Sequence, residues 1–378
     1  MKEITSDEYY NKVFGSWLGR VAGDFVGEPI EFMPYEKIIE KHGDIEYYLK
    51  PIDLNYVNDD EMYEICALVA LEKHGIDVTA KDIAQEWLDR LYTFNFTAEF
   101  IALKNLKRGI WPPESGINNN FYFDAIGAQM RADIWGQVAP GCPKIAKQYA
   151  EMDGSISHDQ IGIEGEVFVA VLLSHAFFES DIRKNIDMSL KYIPSVEKSS
   201  YTRMVQKSLD IHEQFPDDFR KARDDLINYW DHVRKNDLKI TDTRGSLSES
   251  LLSRKRKRFL LRNRNIPSTA GVHVLPNIGI MVLSMLYGAQ DDDPLGKSIC
   301  VAAMMGLDTD CNCGNIGAIL GTQLGADKIP AKWKDPLQDT FSTYVKGYEK
   351  WKISELAKRI SEIGKKIVKE KCQTIKIV

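Results

Sequence analysis

The sequence predicts a mainly α-helical protein, and three observations carry that expectation. Apolar residues recur at three- and four-residue intervals along most of the 378-residue chain. Alternating apolar–polar runs bounded by turn residues are scarce, the short stretch 45–49 (IEYYL) being the best strand candidate. Two segments place glycine at every fourth position, a spacing that clears one face of a helix of side chains.

The first apolar stripe runs through Tyr10, Val13, Phe14, Trp17, Leu18 and Val21, interleaved with Gly15, Gly19, Gly23 and Gly27. A second runs through Met62, Ile65, Cys66 and Val69, and others occupy 83–91, 165–178, 278–285 and 351–368. Loops are marked at 111–116 (WPPESG), 139–143 (APGCP) and 291–294 (DDDP). Gly317, Gly321 and Gly325 form the second glycine stripe. An interior glycine costs a helix about 1 kcal/mol relative to alanine, so such stripes persist where another backbone approaches closely. The longest apolar run, 167–178, is too short to span a bilayer and reads as a buried core helix. No low-complexity linker divides the chain, and the polar section 181–267 reads as an excursion from a single domain covering 1–378.

With 44% hydrophobic and 28% charged residues the composition is that of a globular protein. A net charge of −6 leaves no basic excess for nucleic acid or a membrane surface, so neither is expected as a partner. The basic run 254–264 (RKRKRFLLRNR) is interrupted by apolar residues and reads as solvated surface. The opening MKEITSDEYY has no apolar stretch, which argues against a signal peptide or anchor. The six cysteines (Cys66, Cys142, Cys300, Cys311, Cys313 and Cys372) are scattered without a zinc-type CxxC pair. A reduced, cytoplasmic chain is the resulting expectation.

Two acidic clusters carry the chemistry. Asn58, Asp59, Asp60 and Glu61 stand immediately before the stripe that starts at Met62. As local structure this is a helix start, with Asn58 as N-cap and Glu61 in the capping-box position. The second cluster lies in 306–312 (GLDTDCN), ahead of a helix expected at 314–324. Hard divalent cations take carboxylate and carbonyl oxygens, and two carboxylate pairs can clamp two ions about 3.5–4 Å apart.

Four blocks, in order, resemble the ADP-ribosylglycohydrolase family, of the dinitrogenase reductase-activating type. The first, 19–32 (GRVAGDFVGEPIEF), is similar to that family's G-x-x-x-GDxxG-x-x-x-EF opening. Asn58-Asp59-Asp60-Glu61 resembles its (S/T)DDT metal block, and Ser157-His158 followed by 162–170 its histidine-bearing helix. The stretch 306–311 with 317–321 (GAILG) resembles G-x-DTD(T/S)…GAxxGA. The resemblance implies a single all-α orthogonal bundle of many helices, with two Mg or Mn ions at the base of a cleft. It assigns metal-ligand places to Asn58, Asp59, Asp60, Asp308, Asp310 and Cys311, and puts Glu31 over the metals and substrate. Gly127 and Ala128, within 125–131 (AIGAQMR), fall on a glycine-rich segment that meets diphosphate and ribose. His158 falls near the phosphate or adenine-ribose end.

The implied reaction is hydrolysis of a ribosyl N- or O-glycosidic linkage through an oxocarbenium-like transition state, on a small molecule or an ADP-ribosylated protein. Glu31, Asp59 and Asp308 are the candidates for handling the proton. The chain also departs from the family pattern. Asn58 and Cys311 replace hydroxyl ligands, and a thiol suits Mg poorly. Asp124-Ala125-Ile126 stands where Gly-Asn-Gly is expected, and an acidic residue there repels a diphosphate. Three readings follow: an ADP-ribosyl hydrolase, a hydrolase of another ribosyl or glycosyl small molecule, or a non-catalytic binding or structural member. Asp24 reads as a buried acid orienting backbone amides, Arg131 as structural, and His273 and Asn277 as candidates for lining the cleft.

Overall fold

In the computed structural model, which describes residues 2–236 and 269–378, the glycine stripes decide how the interior is assembled. The Ser6–Gly27 helix starts at Thr5, whose hydroxyl accepts the Glu8 N–H at 3.1 Å. It lies antiparallel against the Thr309–Leu324 helix. A Cβ added at Gly15 would strike the carbonyl of Gly321, one at Gly19 that of Gly317, one at Gly23 that of Cys313 and one at Gly27 that of Thr309. Four steps along one helix match four steps back along the other. The conformational cost of the glycines is offset by an interhelical approach that no side chain permits.

Around this pair the remaining helices close a continuous core. The largely apolar helix Ile161–Ala176, with Glu166 and Ser174 also buried, packs on Pro143–Gly154, Asp133–Gln137 and Gly127–Met130. Val274–Gly288, buried along nearly its whole length, packs on Pro294–Met305 and Ser200–Gln214. Trp17, Trp87, Trp135 and Trp333 are fully buried. Within the polar section, Ile182–Ser189, Ser200–Gln214 and Phe219–Asn236 are amphipathic and send Ile186, Met204, Leu209, Leu226 and Trp230 into this same core. The rest of that section, with the basic run 254–264, lies outside the described residues.

Strand structure among the described residues is confined to two small pairs. Lys2–Ile4 runs parallel to Ile375–Ile377, with Lys2 opposite Ile375. Thr340–Ser342 runs antiparallel to Lys350–Lys352, with Phe341 opposite Trp351. The expected strand at 45–49 does not form. Its tyrosines serve instead as anchors, the Tyr48 hydroxyl donating to the Trp333 carbonyl at 2.6 Å while both Tyr47 and Tyr48 pack on the Trp333 ring. A tyrosine pair next to isoleucine imitates strand alternation, but here the rings pack on one indole rather than on a neighbouring strand.

The expectation of six reduced cysteines fails at one pair. Cys142 and Cys372 form a disulfide across a separation of 230 residues, with Cα atoms 6.3 Å apart. Pairing of the two end strands brings the C-terminal segment beside Gly141, a contact that cysteine spacing cannot reveal. Such a cross-link departs from the reduced-chain premise behind the cytoplasmic expectation. No described helix is long and apolar enough to cross a membrane.

Candidate metal centre and cleft

The glycine-packed helices end where the acidic clusters meet. Gly27 closes the first helix, and its carbonyl accepts the Thr309 hydroxyl at 2.8 Å. Pro29 then opens a short 3-10 turn, Glu28–Ile30, that delivers Glu31. The Phe32 N–H donates to the Leu307 carbonyl at 2.9 Å, which seats Glu31 beside the second cluster. Gly306 (φ 81°) and Leu307 (φ 71°) reverse the chain so that Asp308 becomes the N-cap of Thr309–Leu324. For leucine that conformation is strained by about 1 kcal/mol or more, and it is held by the Phe32 bond.

The two distant clusters converge. Asn58 Nδ2 donates to Asp310 Oδ2 at 3.1 Å, and the Cys311 thiol donates to Asp60 Oδ1 at 3.4 Å. Ligand atoms of Asp308, Asp310 and Cys311 lie within 4.8 Å of one another, all buried. Asn58 therefore does not cap its helix as expected: Asp59 occupies the N-cap, no side chain caps there, and the Asn58 amide is turned to Asp310. Asp60 is buried at the first helical position and Asp59 is half-buried beside it.

The electrostatics are those of a site short of positive charge. Burial and then mutual repulsion hold the carboxyls of Asp59, Asp60 and Asp308 well above the usual range. Glu31 keeps contact with solvent. Its carboxyl is nonetheless pushed up to about 9 by the packing around it and by Asp310, Asp60 and Glu28. Oxygens of Asp60, Asp308 and Asp310 are buried without a hydrogen-bond partner. Among the described residues, buried Arg20 reaches this cluster at Asp60, its guanidinium shared between Asp60 at 3.6 Å, Glu64 at 3.2 Å and Asp133 at 2.5 Å. Burial opposes that charge, but Glu64, Asp133, Asp24 and Asp60 together hold it firmly protonated. Orphaned hard oxygens in an anionic cluster are the donor set a divalent cation requires. The Cys311 thiol does not fit equally well: burial and the surrounding carboxylates push its pKa well up, so it stays protonated as a donor.

Several residues proved to have other roles than the sequence suggested. Asp24 orients no backbone amide; both its oxygens are unpartnered by hydrogen bonds to the main chain, and its carboxyl faces Gly314 and Glu61. Asn277, a candidate for lining the cleft, is fully buried behind the second cluster. Its Oδ1 accepts the Asp308 N–H at 3.3 Å and Asn312 Nδ2 at 2.8 Å, while its Nδ2 donates to the carbonyls of Gly271 and His273. Arg20 and Asn277 thus support the acidic clusters from behind, and a lone arginine inside a glycine-rich apolar stripe was the available signal for the former.

A second buried network flanks the site. Arg131 binds Glu99 at 2.8 Å and Asp153 at 2.7 Å, and donates to Ser157 Oγ at 3.0 Å. Ser157 Oγ lies 2.8 Å from His158 Nδ1. Oγ accepts from Arg131 and keeps a second lone pair, so its contact with Nδ1 is compatible with either neutral tautomer of the ring. Burial, and then Arg131, hold His158 neutral. Gly127 is required where it stands, since a Cβ there would strike the Glu99 carboxylate. Gly127 and Ala128 are buried in the short helix Gly127–Met130. Just before them, the Ala125 N–H is taken by the Tyr122 carbonyl (2.9 Å) and the Ile126 N–H by the Val272 carbonyl (2.8 Å). Asp124 is buried, with Oδ2 3.5 Å from His273 Nε2. His273 Nδ1 in turn accepts the Leu275 N–H and caps its helix.

Comparison with known proteins agrees with this architecture. A family model described as ADP-ribosylglycohydrolase matches residues 5–369. A solved structure described as an ADP-ribosylglycohydrolase-related protein complex superposes with a TM-score of 0.55 at 16% identity, covering 95% of this chain and 99% of its own. An uncharacterized protein of Archaeoglobus fulgidus is 28% identical over 165 residues, 42% of this chain and 53% of its own length. The match thus spans about half of that archaeal relative. With the family model covering nearly the whole length of an all-helical fold, the chain belongs to the ADP-ribosylglycohydrolase family.

Proposed function

We propose that the protein is a metal-dependent hydrolase of ribosyl N- or O-glycosidic linkages, with a binuclear Mg or Mn centre. The observation that carries this reading is the convergence of two acidic clusters some 250 residues apart, with Asn58 on Asp310 and Cys311 on Asp60 (|i−j| 252 and 251), leaving unpartnered buried oxygens on Asp60, Asp308 and Asp310. Asn58, Asp59, Asp60, Asp308 and Asp310 would hold the cations, with Cys311 beside them. Bound cations supply Lewis acidity toward ribose hydroxyls and toward the attacking water.

The chain's own groups do the rest. Arg20 fixes Asp60, and Asn277 fixes the start of the helix bearing Asp308 and Asp310, so the carboxylates are oriented before substrate arrives. Glu31 is the leading proton carrier, since it is open to solvent and stands beside Asp310 and Asp60. Asp59 and Asp308 are the other candidates. Gly127, Ala128 and His158 contribute to the substrate side of the cleft.

Within this reading, a ribosyl compound less anionic than ADP-ribose is favoured over ADP-ribose itself. The amides of Ala125 and Ile126, which a diphosphate would need, are already bonded within the protein, and buried Asp124 adds negative charge beside them. The test is a panel of ADP-ribosylated arginine, ADP-ribosylated serine, free ADP-ribose and simple nucleosides, each with and without Mg²⁺ or Mn²⁺. Cation-dependent cleavage of one of these linkages is expected, releasing ADP-ribose from ADP-ribosylated arginine or serine, or ribose from a nucleoside, with free ADP-ribose as the binding control. Glu31→Gln should lower that turnover about 100-fold or more with little change in melting temperature; wild-type turnover in the variant would make Glu31 a bystander.

A further inference from the structure

Among the described residues, eight large hydrophobic side chains are exposed, and three of them, Phe94 (42%), Phe96 (50%) and Tyr344 (42%), belong to one patch. Phe94 stacks on Tyr344 with centroids 4.5 Å apart and planes 20° from parallel, and Phe96 meets Phe94 edge-on at 6.2 Å. Isolated exposed rings need no explanation, whereas a contiguous aromatic patch marks a binding surface. Its backbone is held at a conformational cost, because Phe94 (φ 55°) and Thr97 (φ 39°) both adopt left-handed conformations that only glycine adopts freely.

Two connections tie the patch to the metal centre. Asn95, between the two phenylalanines, is reached at 3.4 Å by the hydroxyl of Tyr63, one turn into the helix that begins at Asp60. On the other side, Ser342 bridges Val57, the residue before Asn58, and its hydroxyl donates to the Leu54 carbonyl at 2.7 Å. Chain geometry then keeps the Tyr344 backbone within roughly 16 Å of Asn58, and an extended tyrosine covers much of that span. The patch is thus joined to the segments on either side of Asn58 and Asp59.

We infer that Phe94 and Tyr344 form a stacking platform that selects substrates whose ribose carries a planar aromatic group. The inference rests on the ribosyl-hydrolase reading and adds the class of substituent. A stacked pair of rings presents a flat, rigid, apolar face at little entropic cost, and any planar heterocycle can lie on it without a hydrogen-bond match. A flexible aliphatic substituent gains far less from such a face. No phosphate-binding group is required, in keeping with the bonded amides of Ala125 and Ile126.

The experiment is calorimetric titration of the Mg²⁺-loaded protein with ribose and with inosine, for the wild type, Phe94→Ala and Tyr344→Ala, alongside Mg²⁺ stoichiometry. Wild type should bind inosine at least 10-fold more tightly than ribose. Each variant should lose about 5- to 100-fold of that advantage, the range that stacking contributions span, with ribose affinity and Mg²⁺ stoichiometry unchanged. If inosine keeps its advantage in both variants, or has none in the wild type, the platform is overturned while the ribosyl reading stands. If neither ligand binds the loaded protein, the ribosyl reading falls and takes the platform with it. A variant with altered Mg²⁺ stoichiometry also counts against the platform, because it makes the rings supports of the metal centre.

Discussion

Where Gly15, Gly19, Gly23 and Gly27 meet the Thr309–Leu324 helix, backbone rests directly on backbone; where Phe94 meets Tyr344, exposed rings rest on a loop with strained residues. The first region forms a floor that ends at the acidic clusters; the second, the rim, is joined to the segments beside Asn58 and Asp59. The floor has no adjustable side chain between its two helices, so its geometry is over-determined. The rim is made of side chains that contribute little to the core and can be exchanged. The difference teaches where each kind of change will be felt: floor substitutions should act on folding and on the cation geometry, rim substitutions on which ligand binds.

The largest effect should come from Gly19→Val. Its side chain would enter the space of the Gly317 carbonyl, and neither backbone can retreat without separating the helices. A loss on the order of 4 kcal/mol or more is expected from urea denaturation. An unchanged midpoint would show that the seam is looser than described.

Arg20→Met should come next, at about 3–5 kcal/mol, because it leaves Asp60, Glu64 and Asp133 buried without their cation. Adding Asp133→Asn should recover part of the loss. If the double variant is no more stable than the single, charge is not the reason Arg20 is needed.

Asp310→Asn sharpens the comparison differently. Its carboxyl is raised by burial, so neutralising it relieves the cation-free protein. Divalent-ion binding by calorimetry should vanish while the melting temperature without cation holds or rises. Retention of full ion stoichiometry would remove the metal centre from Asp310.

The smallest effect is in pH dependence. A carboxyl whose folded-state pKa exceeds its unfolded value contributes stability at low pH and loses it as pH climbs through the folded value. For Glu31 that window runs from about 4.5 to about 9. The melting temperature measured in chelator should therefore drift down across this range, and Mg²⁺ or Mn²⁺ should oppose the drift most strongly at its upper end. A melting temperature that rises with pH in chelator would contradict the assigned direction.

The all-helical fold was legible because its apolar stripes follow the helical period, and the floor because glycine at every fourth position has so few other uses. The meeting of two acidic clusters was legible from two aspartate motifs, although local pattern read Asn58 as a helix cap: the competing bond to Asp310 comes from a residue 252 positions away. The supporting roles of Arg20 and Asn277 depend on which helices pack behind the cluster, which local pattern does not encode. Asp24 was misread because a buried acid in a helix satisfies amides only where free amides exist, and a helix interior offers none. The strand at 45–49 and the reduced state of Cys142 and Cys372 failed for the same reason, since tertiary partners, Trp333 and the C-terminal strand, decided them.

The glycine seam also acts as a register gauge. Its four paired positions span twelve residues of helix, about 18 Å at 1.5 Å per residue. Sliding one helix past the other by a single residue would drive a side chain into a carbonyl at every pairing, so intermediate settings do not exist. The separation between Glu31 and Asp308 is therefore set as much at Gly15 and Gly321, at the opposite end of this helix pair, as at the cleft itself. Substitutions around Asn11 and Gly325, remote from any ligand, are positions from which the spacing of the cation site can be retuned.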